Sequence, residues 1–361
     1  MKHLVFTVTN DLSYDQRMIR ICSSLANAGY RVTLVGCRQR HSLPLEQRSF
    51  RQRRLHCFFR KGKLWYAEYN FRLFWYLLFI RMNLICAIDL DTIFPCYWVS
   101  RLKRIPRVYD AHELFCEMKE VATRPAIHRA WKWVEHHTVP YFLQGYTVNE
   151  LIAMEFRRMY GVKYEVVRNV PIARPLEIPA KPEKFILYQG AVNEGRCFET
   201  LIPAMKQVDA RLIVCGDGNF MEQALDLVRT HHLEEKIIFE GRILPEALRA
   251  YTEKAWVGIT LCDREGLSIY YSLANRFFDY LQCGVPQLCV DFPVYRELNN
   301  QYQIAVLIDD LGADSIAREL NNLLNDEQLY GLLQQNCLTA REIFTWQEEE
   351  KKLIAFYRNI I

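Results

Sequence analysis

No C-x-x-C pair occurs among the twelve cysteines, and none of them falls into metal-ligand spacing. That argues against a disulfide framework and a structural zinc site, and leaves reduced, mostly buried thiols in a cytoplasmic protein as the expectation. No apolar run is long enough to cross a bilayer. The most apolar stretch, residues 71–88, is interrupted by Arg72 and Arg81 and is shorter than the roughly 20 residues a spanning helix needs. The opening MKHLVFTVTND reads as a strand start and lacks the basic, apolar and small-residue layout of a secretory leader. Internal repeats and low-complexity tracts are absent too.

What remains is an ordinary globular composition, 50% hydrophobic and 24% charged over 361 residues, long enough for about two domains. The net charge is +4, but it is unevenly placed: residues 38–63 hold nine Lys or Arg against the single acid Glu46. Such a segment fits an anionic surface (lipid headgroups, nucleic acid or phosphorylated ligands) or simply a solvated loop. Nucleic acid is disfavoured because only Phe58 and Phe59 supply interleaved aromatics for stacking. Residues 71–88 read as a buried helix leading into a strand, with partial insertion at a membrane surface as the second reading, since the basic run lies just upstream.

Strand and helix alternate nearly throughout. Apolar strands are expected at residues 4–9, 31–36, 84–88, 107–109 and 145–148, with a first helix near 15–28 whose start has Ser13 and Gln16 in capping-box spacing. Pro171, Pro175, Pro179 and Pro182 mark a linker. A second alternating set follows, with strands at 185–189, 211–215, 236–240, 256–261, 287–290 and 304–308. The pattern implies right-handed βαβ units and two doubly wound parallel-sheet domains, at residues 1–172 and 183–345. An amphipathic last helix within 346–361 could dock on either. In such sheets ligands bind at the carboxyl ends of strands, and two sheets facing each other would enclose a cleft.

The strand ends of the second set carry the chemistry. The first runs into GAVNEGRCFETLI, placing Gly190, Gly195 and Arg196 where a helix begins and a phosphate is attracted. The next ends in Gly216–Asp217–Gly218, a tight turn, and the third in Gly241, Arg242 and Ile243. In the stretch LSIYYSLANRFFDYLQCGVP, a polar loop precedes a short helix on which Arg276 and Asp279, three apart, share one face. A guanidinium forks onto phosphate and a carboxylate accepts from a sugar diol, although the same pair alone reads equally as a surface ion pair. Asp89–Leu90–Asp91 has the D-x-D form of a metal–diphosphate site, yet it follows a strand and reads as a strand-end turn. The pairs His136–His137 and His231–His232 lack a third ligand, and Trp131 and Trp133 read as packing residues.

Taken in order, YQGAVNEGRCFETLIPAM, LIVCGDG, IIFEGRILPEAL and YYSLANRFFDYLQCGVP resemble the motifs of family 4 glycosyltransferases of GT-B architecture. TNDLSYDQRMIRICSSLANAGYRVTLVG, DLDT, VYDAHELF, YTVNELIA and VRNVP resemble a bacterial subgroup of that family. The resemblance covers most of the chain. It implies a retaining transferase whose C-terminal domain holds a nucleoside diphosphate sugar, with no resident metal or other cofactor. Arg196 and Arg276 would take the diphosphate, and Asp279, the second carboxylate of an E-x7-E motif, the ribose. Gly190, Gly195, Gly216, Gly218, Arg242, Ile243, Tyr271, Ser272 and Leu273 would line the donor. The sequence departs from the family where Tyr271 replaces the first glutamate and Ala191 follows Gly190 in place of an arginine.

The resemblance further implies that His112 touches the transferred sugar. On the acceptor side it places Ser13, Arg17, Asp91 and Glu113, where the residues alone fit helix starts, a strand-end turn or an exposed helix face as well. The expected activity is glycosyl transfer to an acceptor hydroxyl in bacterial surface polysaccharide or glycolipid assembly. Its partners would be the nucleotide sugar and a glycan or lipid-linked acceptor, at an inner-membrane surface if the basic domain binds one. A nucleotide-sugar 2-epimerase or hydrolase, or a non-catalytic nucleotide-sugar-binding protein at a membrane, would use the same architecture.

Overall fold

The computed structural model describes residues 1–13, 15–40, 42–178 and 183–361; Tyr14 and the linker prolines Pro179 and Pro182 lie outside the described residues. The chain divides into two compact units, one of Met1–Asn169 with Glu348–Ile361, the other Val170–Gln347.

The first unit is built on β1 (His3–Thr7), α1 (Gln16–Asn27), β2 (Arg31–Cys37), β3 (Arg51–Leu55), α2 (Gly62–Phe79), β4 (Leu84–Ile88), α3 (Ile93–Lys103) and β5 (Arg107–Ala111). The short α4 (Lys119–Ala122), α5 (Pro125–Thr138), β6 (Gln144–Thr147), α6 (Glu150–Tyr160) and β7 (Glu165–Val166) complete it. All seven strands pair in parallel in the order β3-β2-β1-β4-β5-β6-β7. Strands β1 and β4 are buried along their whole length, as their unbroken apolar sequence requires in a sheet covered on both faces. Crossovers running in opposite directions from β1 put α1 on one face and α2 and α3 on the other.

Two elements differ from the sequence expectation. The basic segment is not one loop, since Arg51–Leu55 forms the edge strand beside β2; a charged edge discourages further pairing. The cap of α1 is Asp15, whose side chain accepts from the Met18 amide at 3.0 Å, and not Ser13. Helix α1 therefore starts later than the capping-box reading, and buries Met18, Ile21, Cys22 and Leu25 on one face.

The second unit comprises β8 (Phe185–Gln189), α7 (Phe198–Ala204), β9 (Arg211–Cys215), α8 (Met221–His231), β10 (Ile237–Gly241), α9 (Pro245–Lys254), β11 (Val257–Thr260), α10 (Leu267–Tyr270) and α11 (Asn275–Gln282). Then follow β12 (Gln287–Val290), α12 (Pro293–Tyr302), β13 (Ala305–Ile308), α13 (Ala313–Asn325), α14 (Glu327–Ala340) and α15 (Trp346–Ile360). Its six strands run parallel in the order β10-β9-β8-β11-β12-β13. From Glu348 onward α15 belongs to the first unit, where Ser24 donates to Glu350 at 2.7 Å and Tyr357 packs on Phe6 and Tyr146.

In each sheet the strand order reverses once, at β1/β4 and at β8/β11. The crevice outside the carboxyl ends of such a switch point is where this class of fold binds ligands. Removing the α1 cap, Asp15→Ala, is expected to cost about 1 kcal/mol, read as a lower urea midpoint for the transition of the first unit.

Candidate functional site

At the carboxyl ends of β8, β9 and β11 three loops meet, and glycine permits the contact. Gly190 takes φ +126°, and its amide donates to Cys215 O at 3.0 Å. A Cβ on Gly216 would stand 1.8 Å from Gly190 O, and one on Gly218 would stand 2.2 Å from Val192 O. The first two loops thus run backbone against backbone. Asn193 and Asn219 lock them: Asn193 Oδ1 accepts from the Asn219 amide at 3.0 Å, and Asn219 Oδ1 accepts from the Glu194 amide at 3.1 Å. Gly195 O accepts from the Asp263 amide at 2.9 Å, which ties in the loop after β11.

Arg276, in the first turn of α11, enters this junction and is 8% exposed. Its guanidinium lies over the Tyr188 ring at 4.8 Å. Its bonds are long and all to neutral groups: Tyr188 Oη at 3.3 Å, Leu261 O at 3.4 Å and Gln189 O at 3.5 Å. Nε has no partner. Burial raises the Cys262 thiol pKa, and Arg196 and Arg276 are the two cations that pull it back, so both guanidinium groups attend one spot. Asp279, one turn on from Arg276, accepts from Gln189 Nε2 at 2.9 Å, and Thr252 donates to Gln189 Oε1 at 2.8 Å.

The structure thus brings Gly190, Gly195, Arg196, Gly216, Gly218 and Arg276 to one junction. Tyr271 and Ser272 are half-buried beyond α10, a helical turn where the sequence suggested only loop. Leu273 packs against the core around Phe277, Phe292 and Tyr295. Arg242 is exposed, whereas Ile243 packs inward with Leu248 and Tyr251. Sequence reasoning missed Tyr188, Gln189, Cys262 and Asp263; their only signal is position at the ends of β8 and β11. A hollow of about 490 Å³ lined by Glu183, Lys184, Asp209, Arg211 and Lys236 lies at the opposite, amino-terminal ends of the strands. Its exposed Arg211–Glu183 pair marks it as a surface dent, away from the glycine loops.

In the first unit, His112 follows β5 and is held by carboxylates. Asp89, at the end of β4, adopts φ +54°, uncommon for a residue with a Cβ. In that conformation its Oδ1 accepts from the His112 amide at 2.9 Å and its Oδ2 lies 3.2 Å from Nδ1. Asp110 Oδ2 stands 3.2 Å from Nε2, close enough for charge attraction but not aligned as a hydrogen bond. Burial disfavours the imidazolium, yet Asp89 and Asp110 together raise the His112 pKa well above its ordinary value. Asp91 is pushed up to about 7 by burial and by Asp89, although Thr9 donates to it at 2.5 Å. Glu113 is also raised to about 7, by burial and the Asp89 charge.

Two acceptor-side residues have protein partners. Arg17 is not on the helix surface: it is 4% exposed and donates to Asp110 Oδ1 at 2.9 Å and to Val167 O at 3.1 Å. A buried guanidinium needs such a counterion, so Arg17 acts on His112 only through Asp110. Ser13 is engaged by Arg54, whose Nη2 donates to its hydroxyl at 2.5 Å and to Asp11 at 2.6 Å. Asp89 and Asp91 each have protein partners, and among the described residues no three His, Cys, Asp or Glu side chains converge as a metal-binding set.

Comparison with known proteins accords with this arrangement. Residues 173–338 match the family described as glycosyl transferases group 1. Over 175 residues the chain is 23% identical to the N-acetylgalactosamine-N,N'-diacetylbacillosaminyl-diphospho-undecaprenol 4-alpha-N-acetylgalactosaminyltransferase of Campylobacter jejuni, a stretch covering 47% of this chain and 46% of that protein. It is 20% identical over 185 residues to the N-acetyl-alpha-D-glucosaminyl L-malate synthase of Bacillus anthracis, covering 50% of this chain and 46% of the relative. The chain thus spans about half the length of the curated relatives it matches. Sucrose-phosphate synthase from Thermosynechococcus elongatus has a TM-score of 0.80 at 18% identity, covering 99% of both chains. Anabaena HepE in complex with UDP and glucose has a TM-score of 0.76 at 14% identity, again covering 99% of both.

Two parallel, Rossmann-like sheets with these neighbours define a GT-B fold. Within that fold, residues 173–338 resemble the group 1 glycosyl transferases.

Two outcomes follow from the geometry. Gly216→Ala must force the two glycine loops apart, and is expected to lower stability by about 1–3 kcal/mol, the scale of an overpacked site, read by thermal melting. Because the folded-state pKa of His112 is raised, its contribution to stability is complete below the unfolded value of about 6.5 and is lost as pH rises through the folded value. The stability difference between the wild type and His112→Gln should therefore shrink with rising pH, as measured by urea melts across that range.

Proposed function

We propose that this protein transfers a glycosyl group from a nucleoside diphosphate sugar to an acceptor hydroxyl, with the anomeric configuration retained. The observation that carries the proposal is Arg276, a buried guanidinium with neutral partners, long bonds and an unpartnered Nε, sharing the Cys262 locality with Arg196. Two such cations at a switch point suit a diphosphate, which can supply the short charge-assisted bonds the protein leaves unmade. Asp279, steadied by Gln189, is suited to accept from a ribose diol one helical turn away.

In the proposed reaction the bond from the anomeric carbon to the diphosphate oxygen breaks and a bond from that carbon to the acceptor oxygen forms on the same face. The acceptor proton passes to the departing diphosphate. Charge growing on that leaving group is met by Arg196 and Arg276, fixed before the reaction begins. His112, charged and oriented by Asp89 and Asp110, would face the sugar as a fixed positive charge. HepE is seen with UDP and glucose, and the Campylobacter relative is named for a diphospho-undecaprenol-linked acceptor. Both support a uridine nucleotide sugar as donor and a lipid-linked glycan as acceptor, in bacterial surface polysaccharide or glycolipid assembly.

Arg276→Ala is expected to reduce turnover by about 10²–10³, the scale of losing one transition-state donor, in an assay of nucleotide release with acceptor present. Asp279→Asn should mainly weaken nucleotide binding, read as a smaller thermal shift with UDP than the wild type shows in a screen against UDP, GDP, dTDP and ADP. Since the proposed charge stabilisation is by guanidinium, turnover should survive EDTA; loss of turnover in chelator would count against the arginine mechanism.

A further inference from the structure

Helix α2 is apolar on the side that faces away from its own domain. Tyr69, Leu73 and Leu77 form the buried side. Opposite them Phe71, Trp75 and Phe79, spaced one turn apart, are 64%, 43% and 78% exposed. Their rings contact one another, Phe71 with Trp75 at 6.2 Å and Trp75 with Phe79 at 5.9 Å, and among the described residues they stay open to solvent. The expectation of a buried helix thus holds for one side only. Helix α2 also ends before Arg81, so Arg72 and Arg81 do not share it.

Helix α3 repeats the pattern. It lies beside α2, with Lys103 Nζ donating to Ile80 O at 2.8 Å, and exposes Phe94, Trp98 and Leu102 at the same one-turn spacing. Trp133 of α5, read from the sequence as a packing residue, stacks on His137 yet is 55% exposed, and lies 6.4 Å from Phe94. Trp131 does pack, between Tyr66 and Phe115. Single exposed apolar residues are commonplace, but rows of exposed aromatics on two neighbouring helices are not.

The exposed charges at the ends of α2 and α3 are basic. Lys61, Lys63, Arg81, Arg101 and Arg104 are exposed there, and Arg72 lies over the Phe58 ring at 5.0 Å. Arg51 and Arg53 of the edge strand act on Tyr76 of α2. The only acid within α2 and α3 is Glu68, and it is already occupied by Arg72 at 2.7 Å and the amides of Phe58 and Phe59. No helix among the described residues is long and apolar enough to cross a membrane.

We propose that the outer face of α2 and α3 is a docking surface for an anionic phospholipid bilayer, lying in its interface. Tryptophan and phenylalanine would sit at the headgroup boundary and the arginine and lysine rim would meet the lipid phosphates. A second copy of the chain is a poorer occupant: a two-fold contact sets the same patch against itself, bringing the basic rims together with no free acid to balance them. The proposal rests on surface composition alone and stands apart from the sugar-transfer reading.

The test is co-sedimentation with phosphatidylcholine vesicles, with and without phosphatidylglycerol. The wild type should bind the anionic vesicles, more weakly as salt rises, and the double variant Trp75→Ser/Phe79→Ser should partition at least about tenfold less from its lost apolar contact. The variant's thermal shift with UDP should stay at the wild-type value, reporting an intact fold. Should that variant fail to fold, Arg81→Glu/Arg104→Glu is expected to show the same loss. Brominated-lipid quenching of wild-type tryptophan fluorescence provides a measurement that needs no variant. Unaltered partitioning of folded variants, absence of binding or quenching in the wild type, or a dimer that the substitutions dissolve would each overturn the proposal.

Discussion

A guanidinium buried without a neutralising carboxylate is the constraint on which the C-terminal site depends. Desolvating a charge is expensive, and proteins normally answer it with an ion pair. Arg276 has only a phenol and two carbonyls, at long range. Nothing in the second unit's packing calls for a cation there, since the surrounding core of Phe277, Phe278 and Tyr295 is apolar. The arrangement is economical if an anion from outside completes it.

The first unit shows the alternative outcome. Arg17 is buried as deeply, yet it has Asp110 as counterion and a carbonyl as second acceptor. Its charge has a carboxylate counterion, although its Nε is unpartnered like that of Arg276, and its effect passes to His112 through that carboxylate. The two arginines differ in whether the protein supplies a carboxylate, and that difference lies in their hydrogen bonds, not in residue type. Asp89 makes a related point. Its left-handed backbone turns one carboxylate onto both the amide and the ring of His112, and strain of that kind persists only where surrounding contacts enforce it.

Much of this architecture was legible in the sequence because parallel strands buried on both faces leave unbroken apolar runs, as at Leu84–Ile88 and Phe185–Gln189. Strand β3 was not, because RQRRL is an edge, where charge is tolerated and apolar content is not needed. Arg196, Arg276 and the glycines could be picked out because they follow strands closely. The burial of Arg17 could not, since its partner lies 93 residues away and a helix-face arginine looks the same in sequence whether wet or dry. Gln189 escaped for a similar reason: it closes an apolar strand, and only the fold shows it joined to Asp279 and Thr252. For α2, composition suggested burial, while the helix has more apolar surface than its own sheet can cover.

The first unit is assembled from both ends of the chain, with the whole of Val170–Gln347 inserted between them. Its core lacks Leu353 and Tyr357, both fully buried, until the last turns of α15 have been made. During synthesis the inserted unit, continuous in sequence, can therefore close first, although it is translated second, while the earlier-made sheet waits with a gap at Phe6 and Tyr146. Domains ordinarily fold in the order they leave the ribosome; here the core beside β1 includes side chains of α15, which is translated after the inserted unit.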